Sequence, residues 1–170
     1  MGFNLKAVNS CKLLSINAKS YTGVLSATIT IEDISTNTGT HTVTMNYNAN
    51  TLKGNMNIQI SSLSTTYGVF KACLSENGTI QSCQPVIIHC DIDCCLVKLT
   101  NEIIDCECNC PRCSIALAKA QKVFLLLQSA NSAAALTTAT GSTNNGYYQD
   151  MVDKYLKAKE ICDNSCGCDC

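Results

Sequence analysis

The stretch that decides the fold runs from residue 25 to residue 32 and reads LSATITIE. Leu25, Ala27, Ile29 and Ile31 alternate with polar side chains, so an extended strand here would have one apolar and one polar face. The same period of two recurs in three other segments, at residues 14–18, 43–47 and 56–60. The first half of the chain is therefore predicted to form sheets that bury one face.

Asn77-Gly78 gives the strongest turn signal in this half of the chain. This dipeptide favours the two-residue turns of β-hairpins, so we expect it to join a strand at about 67–74 to a strand at about 79–90. Six or more short strands with such turns are typical of an antiparallel β-sandwich of immunoglobulin-like size. We predict this domain for residues 1–89.

The remaining residues, 90–170, are predicted to form a small Cys-rich three-helix bundle, which makes the whole chain α+β, mostly β and then α. Asp91 or Asp93 is a candidate N-cap for a first helix that ends near Cys106. The predicted apolar stripe of this helix consists of Leu96, Leu99 and Ile103.

Pro111 is placed to begin a second helix. One predicted face of this helix carries Ala116, Ala120, Val123, Leu127 and Ala130. Because residues 123–127 are apolar on nearly every side, we expect this helix to be the central or most buried of the three. The Ala/Ser/Thr/Asn-rich stretch from about 129 to 146 is predicted to fade into a loop. A third helix follows, with its apolar side formed by Tyr148, Met151, Val152, Tyr155 and Leu156.

The balance of charge excludes some classes of partner. The net charge is −1, so we expect no direct binding to nucleic acid. The longest apolar run, residues 123–127, is far shorter than the roughly 20 residues that span a bilayer, so we expect no membrane insertion. The first residues lack the layout of a secretory signal, which predicts synthesis in the cytoplasm.

The spacing of the cysteines is the most informative feature of the second half. Eight cysteines fall into two groups of four, and within each group only one to three residues separate neighbouring cysteines. The groups are Cys106, Cys108, Cys110 and Cys113, and Cys162, Cys166, Cys168 and Cys170. If the second and third helices are antiparallel, both groups lie at the same pole of the bundle. Four thiolates suit tetrahedral Zn²⁺, so we predict a zinc-stapled bundle with two ions per chain.

Two alternatives to zinc remain open. The fourteen cysteines could form a disulfide framework, which we disfavour because the chain shows no export signal. Cys110 and Cys113 also form a C-x-x-C pair at a helix N-terminus, the setting of a thiol-disulfide redox protein.

The other cysteines have weaker assignments. A subsidiary metal set consists of His89, Cys90, Cys94 and Cys95, for which a packing role at the domain junction carries at least equal weight. Cys11, Cys73 and Cys83 lie on strand segments, where we expect core packing or weak partnership with that set. With two histidines and no Gly-rich phosphate loop, the chain is not expected to be an enzyme.

Several passages resemble virion structural proteins of tailed bacteriophages, particularly the crAss-like group. They are CDIDCCLVKL at residues 90–99, the C-x-C-x-C-x-x-C turn, AKAQKVFLLL at 118–127 and KAKEIC at 157–162. The resemblance implies a protein that is made in the host cytoplasm and built into the virion in several copies. It implies a neck or tail ring (connector) subunit that contacts itself and other virion proteins, with capsid decoration or an adaptor role as the alternative.

Overall fold

The computed structural model describes residues 2–8, 11–105, 111–140 and 145–164. These residues form seven strands and three α-helices. The strands are β1 (Asn4–Val8), β2 (Leu13–Lys19), β3 (Ser26–Asp33), β4 (Thr40–Asn46), β5 (Lys53–Gln59), β6 (Gly68–Glu76) and β7 (Thr79–Ile88). The helices are α1 (Cys90–Ile104), α2 (Pro111–Thr140) and α3 (Asn145–Asp163). The predicted α+β class, mostly β and then α, is confirmed.

The strands form two antiparallel sheets, with the order β1-β2-β5 in one and β4-β3-β6-β7 in the other. The alternating residues of both sheets point into one shared core, which includes Ile16 and Ile58 from the first sheet and Ile29 and Leu74 from the second. The period of two in the sequence is therefore the pattern of inward and outward faces in a sandwich.

The hairpin predicted at Asn77-Gly78 is present between β6 and β7. Asn77 has a φ of 51° and Gly78 a φ of 77°. Positive φ at both central positions is the requirement of a type I′ turn, whose twist matches that of the flanking strands.

The change from strands to helices falls at His89, between β7 and α1. This agrees with the predicted boundary at residues 89 and 90. That each part is a separate folding domain stays a prediction, since the helices pack directly on the four-stranded sheet. Val69 of β6 is fully buried in the same apolar cluster as Leu99 and Met151 of the helices.

Three details of the helices differ from the prediction. α1 has His89 as its N-cap, without a side-chain capping bond, so neither Asp91 nor Asp93 caps it. α2 does not fade near residue 129 but continues to Thr140. Alanine has the highest helix propensity, and the hydroxyl of the buried Thr137 donates to the Ala133 carbonyl at 2.8 Å, so this stretch supports a helix.

The third difference concerns the environment of α2. The predicted inner face is correct, since Val123 and Ala130 are fully buried. However, the helix is not enclosed by the bundle, because Phe124 is 58% exposed and Leu125 is 62% exposed. α2 is the central helix, because it packs against both α1 and α3, but it is not the most buried helix of the single chain.

Candidate functional site

The predicted cysteine site lies only partly within the described residues. Cys106, Cys108, Cys110, Cys166, Cys168 and Cys170 fall outside them. Cys113 at the start of α2 and Cys162 near the end of α3 are described, and both are disulfide-bonded.

The predicted antiparallel packing of α2 and α3 is correct. An open groove at one end of the bundle is lined by Ile115 and Lys119 of α2 together with Glu160 and Asn164 of α3. The start of α2 and the end of α3 therefore lie side by side, as an antiparallel pair requires. The two helix ends meet where the prediction placed them, and the two predicted ligands within the described residues, Cys113 and Cys162, are in disulfides.

Cys162 bonds with Cys95 of α1, and both residues are buried, at 2% and 0% exposure. A second disulfide joins Cys11, in the turn before β2, to Cys90, the first residue of α1. This bond ties the sandwich to the helices across a sequence separation of 79 residues.

A third disulfide joins Cys73 of β6 to Cys83 of β7, which are directly opposite in the antiparallel register. Cys94 is disulfide-bonded as well. The expectation of weak metal partnership for Cys11, Cys73 and Cys83 is thus wrong, whereas Cys11 does pack against the core of the sandwich as expected. A two-residue turn at residues 77 and 78 would by itself pair Cys73 with Ser82. The bulge between Leu74 and Ser75 shifts the register by one residue and brings Cys73 opposite Cys83, so the hairpin signal alone could not have predicted this bond.

These bonds overturn the zinc prediction. A metal-binding cysteine supplies a thiolate, and a sulfur atom in a disulfide has none to give. Within the described ranges there is also no group of three or more His, Cys, Asp or Glu side chains placed to hold a metal ion. Of the subsidiary set, Cys90, Cys94 and Cys95 are in disulfides, and His89 Nδ1 lies 3.1 Å from Asp93 Oδ1 in an i,i+4 pair.

A polar cluster at the junction of α1 and α3 escaped the sequence analysis. Asp91 Oδ2 accepts a hydrogen bond from the Tyr155 hydroxyl at 3.0 Å and lies 3.5 Å from Lys159 Nζ. Burial is the main cause that raises the pKa of Tyr155, and the Asp91 charge adds to it. Burial alone would lower the pKa of Lys159, but the charges of Asp91 and Asp163 outweigh it and raise the pKa. The cluster therefore holds α3 against the start of α1 with paired charges.

Two buried carboxylates in the sandwich hold loops in place. Glu76 is 1% exposed and accepts hydrogen bonds from the Thr22 amide at 2.8 Å, the Tyr21 amide at 3.0 Å and the Tyr47 hydroxyl at 3.0 Å. Burial raises the pKa of Glu76, but these donors outweigh it and lower the pKa. Because these donors satisfy the hydrogen-bonding capacity of the Glu76 carboxylate, its role is structural, and it orders the turn between β2 and β3.

Asp33 plays the same part at the turn between β3 and β4. It is fully buried and accepts bonds from the Ser35 amide at 2.9 Å and the Thr65 hydroxyl at 2.8 Å, with further donors from Thr36 and Thr38. Burial opposes ionisation, but the donors prevail and lower the pKa of Asp33 to about 2. The Ser/Thr-rich sequence after Asp33 was the available signal, since such residues satisfy acidic side chains in turns.

No protein-family model matches the chain, and no curated protein is significantly similar to it. Among the helices that the structure describes, none is both long and apolar enough to cross a membrane. The function is therefore inferred from the geometry of this chain and from the resemblance of its sequence motifs.

Proposed function

We propose that the protein is a structural component of a tailed-phage virion, a subunit of the neck or tail ring (connector). The observation that carries the proposal is a pair of disulfides that cross-link the sandwich to the helices and two of the helices to each other. Cys11–Cys90 joins the sandwich to α1, and Cys95–Cys162 joins α1 to α3.

Covalent ties of this kind suit a part that must keep its shape outside a cell. Disulfides persist in oxidising surroundings, which include the surface of a virion. Synthesis in a host cytoplasm is compatible with them if the thiols are oxidised after the particle leaves the cell. In this proposal the disulfides have the stapling role that the sequence analysis gave to zinc.

The sheet edges offer a means of contact with neighbouring subunits. β4 is an edge strand, and its Thr40, Thr42 and Thr44 side chains are exposed. An edge strand presents unpaired backbone groups to which a strand of another protein can add. This supports docking of the sandwich against itself or against other virion proteins.

The test is to locate the protein in purified particles. Mass spectrometry should detect it as a multi-copy component, and single-particle imaging with a bound antibody fragment should place it in a ring at the neck or tail. Differential alkylation before and after reduction should find Cys11, Cys90, Cys95 and Cys162 protected in intact particles. Antibody density scattered over the capsid shell would refute the ring, and absence from the particle would refute the virion proposal.

Capsid decoration or an adaptor role is the second candidate. It is favoured by Val97 and Ile104, which are 59% and 72% exposed and seven residues apart on α1. A spacing of seven places both on one side of the helix, where they could meet an apolar partner. Thiol-disulfide chemistry at Cys110 and Cys113 stays a prediction, since Cys110 lies outside the described residues.

A further inference from the structure

The outer face of α2 is uncharged along most of the helix. At 100° per residue, Leu117, Gln121, Phe124, Gln128, Ala135 and Ala139 fall within one narrow arc, and all six are exposed. We call this arc, together with the exposed Leu125, Asn131 and Ser132 at its two margins, the α2 outer face. Lys119 and Lys122 lie on the opposite side of the helix, next to α3, where they line the groove at the pole.

α3 shows what a solvent-facing helix surface looks like in the same chain. Its exposed positions include Asp153, Lys157 and Glu160. A helix surface that stays in water normally carries such charges, whereas the centre of a protein interface is depleted in charged residues and enriched in aromatic ones. The α2 outer face therefore has the composition of an interface.

We infer that the α2 outer face is the contact between two copies of this chain, packed antiparallel about a two-fold axis near Gln128. A two-fold contact closes after two copies and so does not build a ring; the inference therefore goes beyond the proposed function and does not supply its ring contacts. It makes no use of the protein's location in a virion.

The distribution of side-chain size along the face supports this arrangement. The first half carries the large Leu117, Phe124 and Leu125, and the second half carries the small Ser132, Ala135 and Ala139. An antiparallel pair centred on Gln128 places Leu117 of one copy level with Ala139 of the other, Phe124 level with Ser132, and Leu125 level with Asn131. Large side chains then meet small ones at both ends, which close packing requires.

The alternatives fit less well. In a parallel pair, Phe124 would meet Phe124 while the alanines faced each other across a gap, with loss of packing. A strongly charged partner would find no opposite charge on this face. The face matches its own copy in both size and charge.

The area is sufficient for a specific dimer. The face covers an arc of about 120° on a helix about 12 Å in diameter, so it is about 13 Å wide. Over the roughly 39 Å from Ser114 to Ala139 this gives about 500 Å² per copy. Two copies would bury about 1,000 Å², the smallest area expected of a specific interface.

The first experiment measures the mass of the full-length, oxidised chain by analytical ultracentrifugation over a range of concentrations. The wild type should form a dimer. Leu125→Lys, which would bury an unpaired charge, should weaken dimerisation by at least about 100-fold. The matched control is Leu156→Lys on α3, where Leu156 is 40% exposed, and this variant should dimerise like the wild type. A wild-type monomer, or a dimer that Leu125→Lys leaves intact, would overturn the inference.

The second experiment fixes the orientation. A photo-crosslinking amino acid in place of Leu117 should form bonds with residues 135–139 of the other copy, identified by mass spectrometry of the cross-linked peptides. Cross-links between the two positions 117 would show a parallel pair and overturn the antiparallel geometry. Neither experiment depends on the particle, so a dimer outside the virion would leave this inference standing even if the proposed function failed.

Discussion

Removal of the Cys11–Cys90 disulfide should destabilise the protein more than removal of Cys73–Cys83. All four residues are half-buried, so the double alanine variants lose similar packing. The bonds differ in sequence separation, which is 79 residues for the first and 10 for the second. Loop-closure entropy predicts that the free energy of unfolding falls by about 4.5 kcal/mol without the first bond and by about 2.7 kcal/mol without the second, a difference of nearly 2 kcal/mol.

Equilibrium urea unfolding of the oxidised proteins, followed by circular dichroism, measures both losses. Cys11 has a φ of 58°, but alanine has the same Cβ atom, so the substitution leaves the backbone strain unchanged. Hydrogen exchange adds a local test, because α1 should lose protection in Cys11→Ala/Cys90→Ala and keep it in Cys73→Ala/Cys83→Ala. If the β6–β7 variant proves equally or more destabilised, the view that Cys11–Cys90 acts by linking distant parts of the chain is refuted.

Three further outcomes follow from the structure. Because the folded pKa of Asp33 is about 2 against an ordinary value near 4, its carboxylate should stabilise the fold by about 2 kcal/mol above pH 4 and lose this as the pH falls towards 2. Asp33→Asn should lack that part of the pH dependence in acid-unfolding curves, and a curve identical to the wild type would contradict the role of Asp33. Gly68 and Gly23 both have a positive φ, +148° and +82°, so alanine strains the backbone at either position. At Gly68 the added Cβ would also lie 2.5 Å from Ser35 Oγ, whereas Gly23 has open space around it, so Gly68→Ala should cost at least about 1 kcal/mol more than Gly23→Ala in urea unfolding. Equal losses would mean that Ser35 moves aside freely. In thermal unfolding, a chelator should leave the midpoint unchanged while a reductant lowers it by at least about 10 °C, and a drop with chelator alone would restore the case for a structural metal.

The strand half of the fold could be predicted from sequence because its signals are local. Alternation fixes which side chains of β3 point inward, and Asn77-Gly78 fixes one hairpin. The strand order could not be predicted, since it depends on contacts between distant segments such as β2 with β5. The burial of Asp33 and Glu76 was also out of reach, because their donors come from loops whose positions only the folded sheets define.

The error about zinc has a chemical origin. Cysteine spacing predicted where α2 and α3 bring sulfur atoms together, but not that Cys162 meets Cys95, which the prediction had placed in a separate set. Closeness of sulfur atoms also serves a metal site and a disulfide equally well. The choice between them depends on the redox conditions around the protein, and we inferred these from the lack of a secretory signal. A protein that is made in the cytoplasm and works outside the cell breaks that inference, since its thiols can oxidise after release.

The error about the burial of α2 has a different origin, and it bears on the inferred dimer. Helix composition reflects the surroundings in which the helix finally lies, and these include other chains. The sequence predicted burial for residues 123–127, yet Phe124 and Leu125 are exposed in the single chain, whereas α3 carries charges where it meets solvent. If a second copy covers the α2 outer face, the prediction was right about the helix and wrong only about which molecule buries it. Ultracentrifugation of Leu125→Lys beside Leu156→Lys therefore tests whether the sequence pattern of α2 describes an assembly rather than a monomer.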